Sequence, residues 1–299
     1  MASAAHICAI NRADNGTYTV GSAAGTLPVT NLKDRQLTAI WRSTTLTAPT
    51  QTPTSFRDTT AGRTWIECDL GGGQLINVLS LMAHNISQNG LIRIRLSSVS
   101  NFSVLDYDSG QVSAWPSIGG YGTLPWGVWN WGDLLGVSEA TYYTIFSYFV
   151  LPTAIVSRYI RIDINDTSNP AGYIQAGRFW AGPSWQPSQN IQFGWEIGWV
   201  DSSQVQYSLG GQAYIDQRAK RRIMKFSLMH LNAAEIYSNA FDFIDRRKGI
   251  AGDLLIIPQP DNPELYIHEV VYGRMQTLNP ITNPDYSGRS KQFVLEEIV

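Results

Sequence analysis

Two stretches of this chain alternate in a way that leaves few folding options open. In Leu91–Leu96 (LIRIRL), Arg93 and Arg95 separate Ile92, Ile94 and Leu96. In Arg158–Ile164 (RYIRIDI), Ile160, Ile162 and Ile164 recur at the same spacing. Successive side chains of a strand point to opposite faces, so period two collects the aliphatic residues on one face and the charges on the other. Arg63–Leu70 (RTWIECDL) sets Ile66, Cys68 and Leu70 against Trp65, Glu67 and Asp69, and Gly71-Gly72-Gly73 is expected to end it as a turn. Ile76–Ala83 continues the pattern. His6–Ile10 and Thr17–Val20 are two more short strands, separated by the turn signal Asp14-Asn15-Gly16. Short alternating strands joined by turns define an antiparallel sandwich.

The 299 residues are enough for two domains, each with its own core. Charged residues make up only 15% and aromatics 11%, including 10 Trp and 14 Tyr, which is more adhesive surface than a free monomer needs. A net charge of −2 gives no global field toward nucleic acid or an acidic membrane. Cys8 and Cys68 are too few for a disulfide framework and are read as buried thiols. MASAAHICAINR carries no basic leader, and the most apolar segment, Tyr142–Val156, is short and broken by Pro152. A soluble protein made in the cytoplasm, without membrane insertion, is expected.

The chain changes character at Gly177–Tyr214, where Trp180, Trp185, Trp195 and Trp199 are interrupted by Gly182, Pro183 and Pro187. A covered Trp buries roughly 200 Å², so residues 177–200 are expected to form a packed seam between domains or a partner surface. Beyond it, Gln204–Ile215 (QVQYSLGGQAYI) is a hairpin turning at Gly210-Gly211, a pair compatible with primed geometry. Arg222–Leu231 is a strand. Asn232–Lys248 is the one convincing helix, with Asn232 and Glu235 spaced as a capping box and Ile236, Ala240, Phe241 and Ile244 on one face. Arg246, Arg247 and Lys248 suit its C-terminal dipole, and Gly249 ends it. Asp253–Ile257, Leu265–Thr277 and Lys291–Val299 complete a mostly antiparallel sheet. The expected fold class is mainly β. Residues 1–182 form the sandwich, with an aromatic-rich insertion at about 105–152. Residues 183–299 form a smaller α+β, barrel-like domain with its helix at about 232–249.

Within the insertion Trp115, Tyr121, Trp126, Trp129 and Trp131 stand among glycines and few cations. Loops this long are functional or disordered, and aromatic density argues against disorder. Three coverings are open: a sugar ring, a neighbouring subunit, or the domain's own core. Arg218, Lys220, Arg221, Arg222 and Lys225 form the densest basic run. It is either a solvated strand face or a salt-bridged contact with Glu296 and Glu297 of an adjacent subunit. Without an interleaved aromatic platform it does not read as a nucleic-acid site. His6, His84, His230 and His268 lack metal-ligand spacing, the triple glycine lacks a following Lys-Ser/Thr, and no nucleophile signature occurs. Asp106 and Asp108 are a carboxylate pair such as many loops contain. No catalytic residue, metal or cofactor is expected, and no enzymatic activity.

Asn31-Leu32-x-Asp34 leading to Trp41, W-I-x-x-D-L-G at Trp65–Gly71, the I-R-I-R strand and R-Y-I-R-I-D-I at Arg158–Ile164 together resemble the discoidin (coagulation factor type C) jelly roll over residues 25–182. That fold is shared with many sugar-binding modules, and these motifs are scaffold rather than ligand site. The S-L-G-G-Q hairpin, the K-R-R-I-M-K-F-S-L strand, the helix and the closing K-Q-F-V-L-E-E-I-V strand are similar to distal-tail and baseplate proteins of tailed phages. This second resemblance implies a virion structural protein at the tail tip, assembled in the host cytoplasm. It implies a homo-oligomeric ring, a hexamer ahead of a trimer, contacting tail tube, hub and fibre proteins. The alternative from another class is a carbohydrate-binding adhesin that contacts a host-surface glycan.

Overall fold

The computed structural model describes residues 4–51, 57–115, 144–262, 265–284 and 288–298. It is mainly β, with antiparallel sheets and one long helical run. Two compact units are present: Ile10–Ser184 with Asp261–His268, and Met1–Ala9 with Trp185–Pro260 and Glu269–Val299. The N-terminal strand was expected in the first domain, but it belongs to the second unit. His6–Cys8 pairs antiparallel with Leu255–Ile257. The reason is burial: Asp253–Ile257 is buried along its whole length and needs hydrogen-bonding neighbours on both sides.

In the first unit one sheet runs in the order Arg178–Gly182, Trp65–Met82, Phe146–Asn165, Leu91–Ser97, Tyr107–Asp108. Thr17–Val20 and Val112–Ser113 add to it. Ile66, Cys68, Leu70, Ile92, Ile94, Leu96, Ile160, Ile162 and Ile164 all enter one core, with Trp41 and Phe179. The alternation therefore reports the buried face directly.

The triple glycine does not end a strand. Trp65–Met82 runs through it: Asp69 faces Tyr159 and Gln74 faces Ser157, so Leu70–Gly73 oppose Arg158 alone. This is a bulge, with Gly71 at φ +78°. Extra residues can be accommodated there without ending the ladder, and glycine takes the positive φ without steric cost.

The opposite face of the sheet is charged and nonetheless buried. Glu67, Arg161 and Arg95 stand side by side on three neighbouring strands, with Trp65, Asp163 and Arg93 in the next row. Arg161, fully buried, bonds Asp163 at 2.8 Å, Glu67, and the Asp58 carbonyl at 2.6 Å. Its guanidinium stacks on Trp65 at 4.8 Å. Arg95 bonds Asp163 at 2.6 Å, Arg57 bonds Glu67 at 2.7 Å, and Arg93 bonds Asp108 at 2.8 Å and the Gln51 carbonyl at 3.1 Å. Buried ions of this kind are tolerated only when each is paired and its remaining valences are filled. Every charge in these rows faces an opposite one.

The second unit holds a six-stranded sheet in the order His6–Cys8, Asp253–Ile257, Val271–Thr277, Arg289–Glu297, Arg221–Leu231, Glu196–Val200. Its first and last strands do not pair, so the barrel-like sheet is open. Leu265–Thr277 is not one strand: Tyr266–Glu269 is a helical turn, and the strand begins at Val271. The helix starts as expected, with Asn232 Oδ1 accepting from Glu235 N–H at 2.7 Å. The capping box is only half formed. The Glu235 carboxylate turns away to accept from Ser188 N–H at 2.8 Å and Trp185 Nε1 at 3.1 Å. After one α-turn the run Ile236–Lys248 winds as a π-helix, closed by Gly249 N–H to the Ile244 carbonyl. This winding keeps Ile236, Ala240 and Ile244 buried and turns Phe241 out, where its ring meets Tyr237 edge-on. Phe241 shares the expected face under α periodicity, and the π winding takes it off that face. Lys291, fully buried, pairs with Asp245 and so ties the helix to the last strand.

Burial would raise the Glu67 carboxyl, but hydrogen bonds from Arg57 and Arg161 overcome it and hold the group below its ordinary 4.5. Asp108 is lowered against burial by Arg93, and Asp58 by the Thr50 and Thr60 amides. In acid the unfolded chain therefore binds more protons than the folded one, and stability rises with pH through that range. The contribution is complete above about pH 4.5 and is lost as pH falls through the lowered folded-state values. We expect the urea midpoint of the wild type to drop on acidification and Glu67→Gln to flatten part of that slope. A slope unchanged by the substitution would show that Glu67 is not held as described.

Candidate functional site

Glu196–Val200 is the outermost strand of the second unit's sheet and pairs there only with Arg221–Leu231. Beyond the Val200–Arg221 pair both chains leave the sheet together. The break is held by Arg218 N–H to Ser203 Oγ at 3.0 Å and by Lys220 with Asp201 at 3.8 Å. They then pair again as a two-stranded ribbon, Gln204–Tyr207 with Ala213–Asp216. At ~3.3 Å per residue the run from Val200 to Leu209 reaches roughly 30 Å.

The ribbon's turn differs from the primed two-glycine form. Ser208 N–H bonds the Gln212 carbonyl and Gly211 N–H bonds the Ser208 carbonyl, both at 2.9 Å. Gly211 alone has positive φ, +80°. This is a three-residue loop, Leu209–Gly211, ending in a left-handed glycine bulge.

Directly opposed residues share a face. Val205 with Ile215 and Tyr207 with Ala213 form an apolar face, while Gln204 with Asp216 and Gln206 with Tyr214 form a more polar one. Every residue of both strands is exposed: Tyr207 by 73%, Ile215 by 68%, and Leu209 at the tip completely. At the sheet edge Trp199 is 48% exposed and Phe193 fully so. Large apolar groups standing in water at this density mark an interaction surface. Its charges are closed within it: Asp216 with Arg218 at 2.9 Å, Glu196 with Lys225 at 3.3 Å, and Asp201 with Lys220. Two hollows of about 220 and 360 Å³ lie at the other end of the Glu196–Val200 and Arg221–Leu231 strand pair from the ribbon, and both are lined by Ser227 and Gln292.

The basic run is accounted for inside the chain. Arg222 is buried and bonds Glu297 through Nε and its own N–H, each at 3.0 Å. Arg221 pairs with Glu296 at 2.8 Å, and Arg274 joins them at 3.0 Å. Glu296 and Glu297 are thus the expected acidic partners, but in the same molecule rather than in a neighbour. The terminal strand lies beside Arg221–Leu231, with Ile223 opposite Glu296, and that register brings the charges together. Arg218 and Lys220 remain on the exposed ribbon.

The tryptophans separate. Trp180 is fully buried in the first unit, Trp185 and Trp195 pack against the second unit's core, and Trp199 stands at its edge. Trp115 is half-buried against the first core and donates Nε1–H to the Ile86 carbonyl at 2.7 Å. Tyr121, Trp126, Trp129 and Trp131 lie outside the described residues. Nearby, Ser147 Oγ bonds His84 Nε2 at 2.7 Å and donates to the Ala114 carbonyl. Burial holds the His84 imidazole down to about 3, so it stays neutral. Both thiols are buried, and burial pushes Cys68 up to about 12. Among the described residues no cluster of His, Cys, Asp or Glu is arranged to hold a metal, and no helix is long and apolar enough to cross a membrane.

No protein-family model and no curated protein matches the sequence. Solved structures similar to it include the lectin domain of lectinolysin complexed with Lewis B antigen. That chain is 11% identical, with 59% of this chain and 98% of that one covered and a TM-score of 0.36. A family 32 carbohydrate-binding module of NanJ from C. perfringens, in complex with galactose, is 12% identical over 58% of this chain and 98% of its own, with a TM-score of 0.35. A Streptococcus pneumoniae fucose-binding module is 9% identical, with 58% and 94% covered and a TM-score of 0.35. Similarity at this level transfers neither ligand nor family to this chain.

Removing Glu297 leaves the Arg222 guanidinium buried without its counter-charge. We expect Glu297→Ala to cost about 3–5 kcal/mol and Arg221→Ala, on the half-exposed pair, about 0–1 kcal/mol. Denaturant unfolding of both variants checks this, and equal small losses would refute a buried Arg222–Glu297 pair.

Proposed function

We propose that this chain is a non-catalytic binding protein with two working parts: a C-terminal unit that joins it into a larger assembly, and an N-terminal β unit that recognises carbohydrate. The observation that carries the first part is the solvent-exposed ribbon, whose apolar face displays Val205, Tyr207 and Ile215. A two-stranded hairpin is marginal in water by itself and gains stability when its apolar face is covered. In its finer form this reading makes the chain a distal-tail or baseplate ring subunit of a tailed phage. That form rests on the sequence resemblance of residues 183–299 to such proteins, with tail tube, hub and fibre proteins as the further partners.

The second part rests on aromatic residues suited to sugar stacking. Tyr121, Trp126, Trp129 and Trp131 are concentrated in one glycine-rich segment of a discoidin-like sequence. A Lewis antigen, galactose and fucose are ligands of the similar structures, and a glycan array that includes them among many others tests the reading without presuming a ligand.

Tyr207→Asp places a charge on the ribbon's apolar face without touching either core. We expect light scattering of the purified full chain to show association in the wild type and its loss in this variant, with unchanged circular dichroism. If Tyr207→Asp leaves association unaltered, the ribbon is not the joining surface. For the second part, wild type on a glycan array should bind and the Trp126, Trp129, Trp131 triple Ala variant should not. Failure of the wild type to bind any glycan would remove the carbohydrate reading.

A further inference from the structure

We propose that the ribbon's partner is the ribbon of a second copy of this chain, the two apolar faces packing on each other about a two-fold axis. This rests on the assembly reading above in its general form, adds to it the identity of the partner and the symmetry of the contact, and departs from the ring form, since a ribbon pair closes at two.

The face is suited to meet itself. Val205 and Tyr207 on one strand lie opposite Ile215 and Ala213 on the other, so it is apolar across both strands and carries no ion. The charges bordering it are matched: Asp201 by Lys220, Asp216 by Arg218. A like copy therefore meets no net repulsion, and a polyanion or anionic surface finds no uncompensated cationic patch there. The size also fits. A large aromatic side chain buries about 150–250 Å²; with Tyr207 73%, Ile215 68% and Val205 49% exposed, and Leu209 at the tip, the patch offers at most on the order of 500 Å² per copy. Two copies together would cover roughly 1,000 Å², the lower bound for a specific contact. Faces of sheets stack at about 10 Å, with side chains from both sides interdigitating. An interface made by one patch meeting its own copy is isologous, and closes after two subunits. A head-to-tail ring would instead require a second, different patch to receive the ribbon.

Cysteine substitution separates these arrangements. In a two-fold contact a residue near the axis meets its own counterpart, so one of Val205→Cys, Tyr207→Cys and Ile215→Cys should oxidise to a covalent dimer in the full chain. Gln206→Cys, on the other face, should not. The native Cys8 and Cys68 are buried and do not contribute. We expect a dimer band on a non-reducing gel, abolished by adding Tyr207→Asp to Val205→Cys or Ile215→Cys, or Ile215→Asp to Tyr207→Cys. If none of the three crosslinks while Tyr207→Asp still breaks association, the two-fold pairing is wrong and the assembly reading stands. If Tyr207→Asp changes nothing and no crosslink forms, both fail. A crosslink from Gln206→Cys equal to the others would also overturn the proposal, because contact would then not be confined to the apolar face.

Discussion

The first unit depends on Arg161. It lies in the middle of a sheet, fully buried, with its guanidinium between Glu67 and Asp163 and its flat side on Trp65. An uncompensated charge in that position would cost several kcal/mol, so neighbouring strands must hold their register to keep both carboxylates in reach. A slip of one residue would exchange the aliphatic face for the charged one along the whole strand. The isoleucine face supplies burial energy, and the arginine face makes only one alignment acceptable. The segments that contain Arg57, Asp58, Gln51 and Asp108 are drawn onto the sheet by the same charges.

The second unit uses the same chemistry in smaller amounts. Arg222 with Glu297 and Lys291 with Asp245 are buried pairs there, one between two inner strands and one beneath the helix. Both join the last strand to something else, so the C-terminal residues hold the edge strand's neighbour and the helix at once. Glu235 plays a related part nearer the surface. By leaving its capping role to bind Ser188 and Trp185, it fixes the segment that follows Trp185 against the helix start.

How much of this was legible in the sequence depends on how local each cause is. Ile92, Ile94, Ile160 and Ile162 gave away the core face because alternation is a property of consecutive residues. The burial of Arg93 and Arg161 was not legible, since an outward charge and a paired buried one alternate identically. Gly71–Gly73 misled because a bulge and a turn call for the same residue. The outward turn of Phe241 was not legible, because an apolar pattern at helical spacing carries no sign of π winding. Gln204–Ile215 was legible as a hairpin, but the exposed apolar face of Val205, Tyr207 and Ile215 was not. What the sequence lacked was any sign that this face has no core beneath it. That Glu296 and Glu297 reach the basic run within one molecule was not legible, because the pairing of distant strands is not a local property.

The strand His6–Cys8 lies against Leu255–Ile257, and this has a consequence for the order of folding. During synthesis domains fold as units as they emerge. The first of these two units has nearly all its strands once Gly182 is out. The second must keep its opening strand waiting, unpaired and apolar, until residues beyond Asp253 follow, and it gains Arg289–Glu297 only at the very end. Of the two units, the one that holds His6–Cys8 is thus completed after the other, and the ribbon is translated long before the sheet that anchors it can form.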